Sequence, residues 1–388
     1  YIPADGYSYV APDIAVDQMG QAYIVVNKIT DTLPVTAKTC WVKPGVTTLN
    51  FITNDYTTAG RVKVAANGSY VYAVWEVENG TGSALRYRQL NILDDTYGWA
   101  SDFPGDSMHR SSFDIAVSSN GKLHVTWRTW PDEFTQAIHY TSNVNTSGDM
   151  IGRLQTIQTA TSGLGKPVIA VDPTNAHVYV AYSKSVVLKE DKITGDRIFL
   201  WVCESDCDGT PAPTNTPLLD TAYNPWWLYS DLSLTAAKAG DLVYVAFSAT
   251  NSEVTAGKEI YLVDYRFSGG TYATYRATTD NSDDDVAPQV VSVTDSAHAN
   301  TFFVAGWRKK IDLTTYGDAY VFDYQDYLNG TPRLVADSAS GAEGMEMAAS
   351  DHYVMGAWLA DINPHLESNH TVWLSYSDYP IYLPIIQR

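Results

Sequence analysis

Cysteine is scarce. The chain holds three in 388 residues, Cys40, Cys203 and Cys207, which excludes a disulfide-dense scaffold and a paired-cysteine zinc site. Positive charge is also in deficit: 25 Lys and Arg stand against 44 Asp and Glu, a formal net charge of −19. A surface of that sign repels phosphates and anionic lipid, so nucleic acid is excluded as a partner. No run of about 18 apolar residues occurs, so no membrane-spanning helix is expected. Long stretches with helical period and caps are missing. So are a phosphate-cradling glycine loop and a Gly-x-Ser-x-Gly elbow, and no catalytic residue is assigned.

Aromatic residues are plentiful, 12% of the chain, with 27 tyrosines. Together with abundant Thr, Val and Gly they favour strands and turns. The organising feature is an internal repeat. Its copies are "PDIAVDQMGQAYIVV" (12–26), "VKVAANGSYVYAVW" (62–75), "FDIAVSSNGKLHVTW" (113–127), "PVIAVDPTNAHVYVAY" (167–182), "DLSLTAAKAGDLVYVAF" (231–247), "PQVVSVTDSAHANTFFVAGW" (288–307) and "MEMAASDHYVMGAW" (345–358). Each is an apolar run, a polar turn and a second apolar run, the pattern of a buried hairpin. Six copies close on an aromatic: Trp75, Trp127, Tyr182, Phe247, Trp307 and Trp358; the first has Val26. Alternating third strands follow, such as 84–90 and 137–143, and weaker fourth strands such as 154–160 and 332–338.

These units of roughly 50–60 residues predict four-stranded antiparallel blades, with the aromatic wedged between them. The fold class is all-β, a single seven-bladed β-propeller over residues 1–388. One terminal segment, 1–10 or 379–388, is expected to complete the last blade. The pattern Pro-x-Ile-Ala-Val-Asp-x-x-Gly-x-x-Tyr-Val-x-Trp resembles the sialidase-like secreted bacterial propellers. That resemblance implies an arginine cluster gripping a carboxylate, and Arg110, Arg128 and Arg308 are the arginines placed for it. The Arg-Ile-Pro segment and the Ser-x-Asp-x-Gly-x-x-Trp turns of sialidases are absent from the chain.

Loops entering the first strand and leaving the second share one face of a propeller, where ligands bind. On that face the chain offers Arg110, Arg128, Trp130, Asp132, Glu133, Arg308 and Asp361. A flat aromatic beside carboxylates suits a glycan. "DNSDDD" concentrates Asp280, Asp283, Asp284 and Asp285 in the loop entering blade six, an oxygen-rich set suited to Ca²⁺. Cys203 and Cys207 are spaced for a short disulfide. Asn67, Asn79, Asn145, Asn329 and Asn369 lie in glycosylation sequons. With a first residue that is not Met, these features point to export and an extracellular or cell-surface location.

Both ends are apolar: Tyr1, Ile2 and Pro3 at the start, and Ile381, Tyr382, Leu383, Ile385 and Ile386 at the end. Whichever end does not complete the last blade is a spare strand, suited to pairing with a second copy. The sequence therefore reads as a secreted, non-enzymatic propeller acting as a self-assembling structural or filament subunit through its termini. The alternative is a glycan-binding propeller or divergent sialidase-like glycoside hydrolase.

Overall fold

The computed structural model describes residues 8–17, 20–29, 37–42, 50–53, 59–68, 70–78, 83–91, 96–97, 101–103, 109–132, 135–143, 154–187, 194–204, 207, 213–218, 226–228, 232–237, 241–251, 254–278, 284–293, 301–309, 318–323, 333–336, 342–349, 353–361 and 369–377, some of them by backbone alone. Among these, every long element is a strand, and no helix is long and apolar enough to cross a membrane.

Among the described residues, seven antiparallel meanders, or blades, follow one another. The first comprises β1 (Ser8–Val16), β2 (Ala22–Ile29), β3 (Ala37–Val42) and β4 (Asn50–Phe51). The second has β5 (Ala59–Asn67), β6 (Tyr70–Glu78) and β7 (Ser83–Asn91), edged by β8 (Thr96–Tyr97) and β9 (Ser101–Asp102). The third has β10 (His109–Val117), β11 (Leu123–Asp132), β12 (Thr135–Ser142) and β13 (Gln155–Ala160). The fourth has β14 (Val168–Val171), β15 (Val178–Val187), β16 (Thr194–Cys203) and β17 (Thr214–Pro217).

A short strand, β18 (Trp226–Leu228), leads to the fifth blade: β19 (Ser233–Ala236), β20 (Leu242–Asn251), β21 (Val254–Arg266) and β22 (Thr271–Arg276). The sixth has β23 (Asp284–Val293), β24 (Thr301–Lys309), β25 (Asp318–Asp323) and β26 (Arg333–Ala336). The seventh has β27 (Ala342–Ala349), β28 (Tyr353–Asp361) and β29 (Asn369–Ser377). Because β18 pairs with both β16 and β20, blades four and five form one nine-stranded sheet.

The first strands of the blades touch in cyclic order, β1 to β5, β10, β14, β19, β23, β27 and back to β1. That closed circuit makes the molecule a β-propeller. Residues 8–10 extend β1, opposite Ile29, Lys28 and Asn27. They are thus committed to the innermost strand of blade one and do not supply an outer strand to blade seven. Residues 1–7 and 378–388, with Tyr1, Ile2, Pro3 and Ile381 to Ile386, lie outside the described residues.

In blades two to five the recurring aromatic is a seam residue. Trp75 packs with Tyr23, Val25 and Trp41 of the preceding blade, and Trp127 with Val74, Leu85 and Tyr87. Tyr182 meets Ile138, and Phe247 meets Tyr179 and Ile198. All four are buried. A large ring suits this position because twisted sheets arranged radially diverge outward, leaving a wedge to be filled. The turns are set by side chains and by glycine. In the β10–β11 turn Gly121 has φ +84° and its Cβ position lies 2.7 Å from the Tyr70 ring, so a side chain would be strained and would collide. Tyr72 Oη donates to the Gly121 carbonyl at 3.1 Å, tying that turn to blade two.

Candidate functional site

Two places concentrate polar chemistry: the axis, and one end of the ring. The axis is a cavity of about 580 Å³ lined by the first strands of all seven blades. The pairing registers define an equivalent position in each. Asp13, Lys63, Asp114, Val168, Ser233 and Glu346 lie opposite the residue just before the seam aromatic (Val26 in blade one). Its nearest counterpart in blade six is Gln289, opposite Ala305, two residues before Trp307 and next to a register shift. Six of these seven residues are polar, and together they girdle the axis.

A first strand has no neighbour on its axial edge, so its N–H groups need other partners. The girdle supplies three. Val64 N–H donates to Asp13 Oδ2 at 2.6 Å, Ile169 N–H to Asp114 Oδ2 at 2.9 Å, and Val290 N–H to Ser233 Oγ at 2.9 Å. In each case the side chain of one blade holds the backbone of the next. Lys63 Nζ donates to Asp13 Oδ1 and to Glu346 Oε1, both at 3.2 Å, joining blades one, two and seven.

Burial pushes the Asp13 carboxyl up to about 7; the Lys63 ammonium opposes this and Glu346 adds to it. Burial likewise raises Asp114 to about 6, against the pull of Lys63. Burial works against the Lys63 ammonium, but Asp13, Glu346 and Asp114 outweigh it and raise its pKa. None of these residues stood out in the sequence as a site. The signal was present all the same, since "PDIAV", "VKVAA", "FDIAV", "LSLTA", "PQVVS" and "MEMAA" carry one polar residue at matching places.

The second place is the end of the ring where first strands begin and second strands finish. There His109 lies opposite Trp130 and Arg110 opposite Thr129. Asp132, at the end of β11, pairs with Thr135, and Glu133 lies outside the described residues. Arg308 lies opposite Asp285, and Asp361 opposite Asn369, at the same ends of blades six and seven. The backbone thus brings Arg110, Arg128, Trp130, Asp132, Arg308 and Asp361 to one end of the ring.

Arg128 Nη1 donates to the Leu164 carbonyl in the segment entering blade four, and its guanidinium lies 5.7 Å from the Trp130 ring centre. Trp130 is 46% exposed. The other large exposed apolar side chains among the described residues are Phe51, Leu154 and Tyr272, in or beside outer strands of their blades. Trp130 alone of these sits on an inner hairpin.

The acidic segment before blade six is not a simple loop. Strand β23 begins at Asp284, so Asp284 and Asp285 are paired across from Lys309 and Arg308. Asp285 is buried, and its carbonyl accepts from Ser248 Oγ. Asp280 and Asp283 lie outside the described residues. Among the described residues no group of three His, Cys, Asp or Glu is placed to hold a metal ion.

Cys203 and Cys207 are bonded, with Cα atoms 5.2 Å apart, and Cys40 is buried in blade one. The Asn67 side-chain amide donates to the Val117 carbonyl at 3.1 Å, at the seam of blades two and three. Asn369 opens β29, and Asn79, Asn145 and Asn329 lie outside the described residues.

No protein-family model matches the chain, and no curated protein matches it in sequence. Solved structures match it in fold. The β-propeller domain of the Trilobed protease from Pyrococcus furiosus superposes with a TM-score of 0.56 at 8% identity, over 97% of each chain. A prolyl endopeptidase gives 0.55 at 13% identity, over 97% of this chain and 49% of that one. A polysaccharide lyase gives 0.51 at 8% identity, over 91% of this chain and 87% of that one. At such identities the likeness is one of fold.

Proposed function

We propose that this β-propeller binds a glycan at the end of the ring that carries Trp130. The observation behind this reading is the Trp130 side chain, which stands open to solvent with the Arg128 guanidinium against it. A flat indole face stacks on the apolar face of a sugar ring, and basic and acidic groups around it bond hydroxyls or a carboxylate. Arg110, Arg308, Asp132 and Asp361 share that end of the ring. A propeller of similar shape serves a polysaccharide lyase, which is consistent with sugar recognition and carries no residue across. The setting is taken to be extracellular, where a Cys203–Cys207 bridge stays oxidised.

A glycan array followed by calorimetry tests the reading. Wild type should bind at least one glycan class, and Trp130→Ala should weaken that binding about tenfold, the loss of one aromatic contact. Unchanged binding in the variant, or no binding by wild type, overturns it. A second reading rests on the apolar sequence 379–388: this segment joins copies into an assembly. Truncation at residue 378 should then convert the assembled species to folded monomer in sedimentation velocity. Identical sedimentation of both forms removes that reading.

A further inference from the structure

Immediately around Lys63 acid outnumbers base, although the cavity as a whole is lined by three acids and three bases. Asp13, Asp114 and Glu346 bring three carboxylates to the cavity around Lys63. The other charged groups lining it are Arg61, which is exposed, and Lys166, which is half-buried; β14, β19 and β23 contribute only uncharged side chains. The cluster also sits at a special place. Lys63 and Glu346 are 283 residues apart, and their contact crosses from blade two to blade seven, with Asp13 of blade one bonded to the same ammonium. The seam between β27 and β1 is where the ring closes on itself.

We propose that Asp13, Lys63, Asp114 and Glu346 form a proton-operated clasp on the closing seam of the ring. With two of the carboxyls protonated, the Lys63 ammonium balances the third and holds the last blade to the first two. With all three ionised, three carboxylates share the Lys63 ammonium, and Asp13, at 8% exposure, is less solvated than Glu346 at 28%. Glu346 is the member that can relax toward water. Its departure takes the β27 contact with it.

The direction of the pH effect follows from the protons. Asp13 stays protonated in the folded protein up to about pH 7, whereas in the unfolded chain it ionises near its ordinary value of 3.8. Asp114 behaves alike up to about pH 6. Between about pH 4 and pH 7 the folded form therefore holds more protons at these sites, and their contribution to stability falls as pH rises. The proposed clasp is tightest in mild acid.

Hydrogen exchange read by mass spectrometry, corrected for intrinsic rates, tests this at about pH 5.5 and pH 8. Protection in peptides of β1 and β27 should fall several-fold at the higher pH, while peptides of β15, β16 and β20 hold theirs. The double variant Asp13→Asn, Asp114→Asn imitates the protonated carboxyls and should remove the difference. A uniform change across blades, no change, or a difference that persists in the variant overturns the clasp. Carboxyl carbon NMR on wild type supplies a second measurement that needs no variant. Two aspartates should titrate between about pH 5.5 and 7.5, and complete titration of all aspartates below about pH 5 also overturns it.

Discussion

Between neighbouring blades the buried contacts are mainly aromatic and aliphatic, whereas around the axis they are ionic and hydrogen-bonded. Trp127 at the seam of blades two and three lies among Val74, Leu85, Tyr87 and Phe113. A few residues away on β10, Asp114 reaches the backbone of blade four. Seam contacts are non-directional and tolerate the small offsets that accumulate around a ring. Girdle contacts are directional, and each fixes the height of one blade against the next. The difference teaches a division of labour: the seams supply most of the stability, and the girdle supplies register.

The contrast can be broken most severely at a seam. Trp127→Ala should destabilise the protein by about 3–5 kcal/mol, the usual cost of emptying a large buried site, measured by urea unfolding. Next comes Lys63→Met, which removes the one ammonium bonded to Asp13 and Glu346. Breaking a buried pair costs about 3–5 kcal/mol; the 24% exposure of Lys63 and the 28% of Glu346 put this loss toward roughly half that. It should be greatest above about pH 7 and shrink below about pH 5, because protonated carboxyls no longer need the cation. Unfolding curves at both pH values would show it, and an equal loss at both would contradict the charge account. The smallest effect belongs to Trp130→Ala, whose stability change should stay within about 0.5 kcal/mol, as at other exposed sites. A larger loss would make Trp130 a packing residue and weaken the case for a sugar at that end of the ring.

Much of the architecture was readable from the chain because a propeller repeats its instructions. The hairpin recurs in every blade and its closing aromatic in six of the seven, and Trp75, Trp127, Tyr182 and Phe247 all proved to be wedges. The end of the ring carrying Arg128 and Trp130 was readable for the same reason. The girdle was not recognised, since one polar residue in a five-residue apolar run resembles ordinary alternation. Its meaning emerges only when Asp13, Lys63 and Glu346, which are distant in sequence, converge on the axis. Asp284 and Asp285 resembled a turn because four acids crowd a short stretch. The backbone instead begins β23 there, with Asp284 and Asp285 in register with Lys309 and Arg308.

The short strand β18 has a consequence for how the ring comes apart. Leaving blade four, the chain pairs with Asp196 of that blade and then with Asn251, Thr250 and Ala249 of blade five before blade five begins. Two blades are thereby laced through their main chains, whereas β1, β5 and β10 belong to three separate sheets. Under slow denaturation or mechanical pull, blades four and five should open as one cooperative block. They would make an anchor from which the remaining blades peel away.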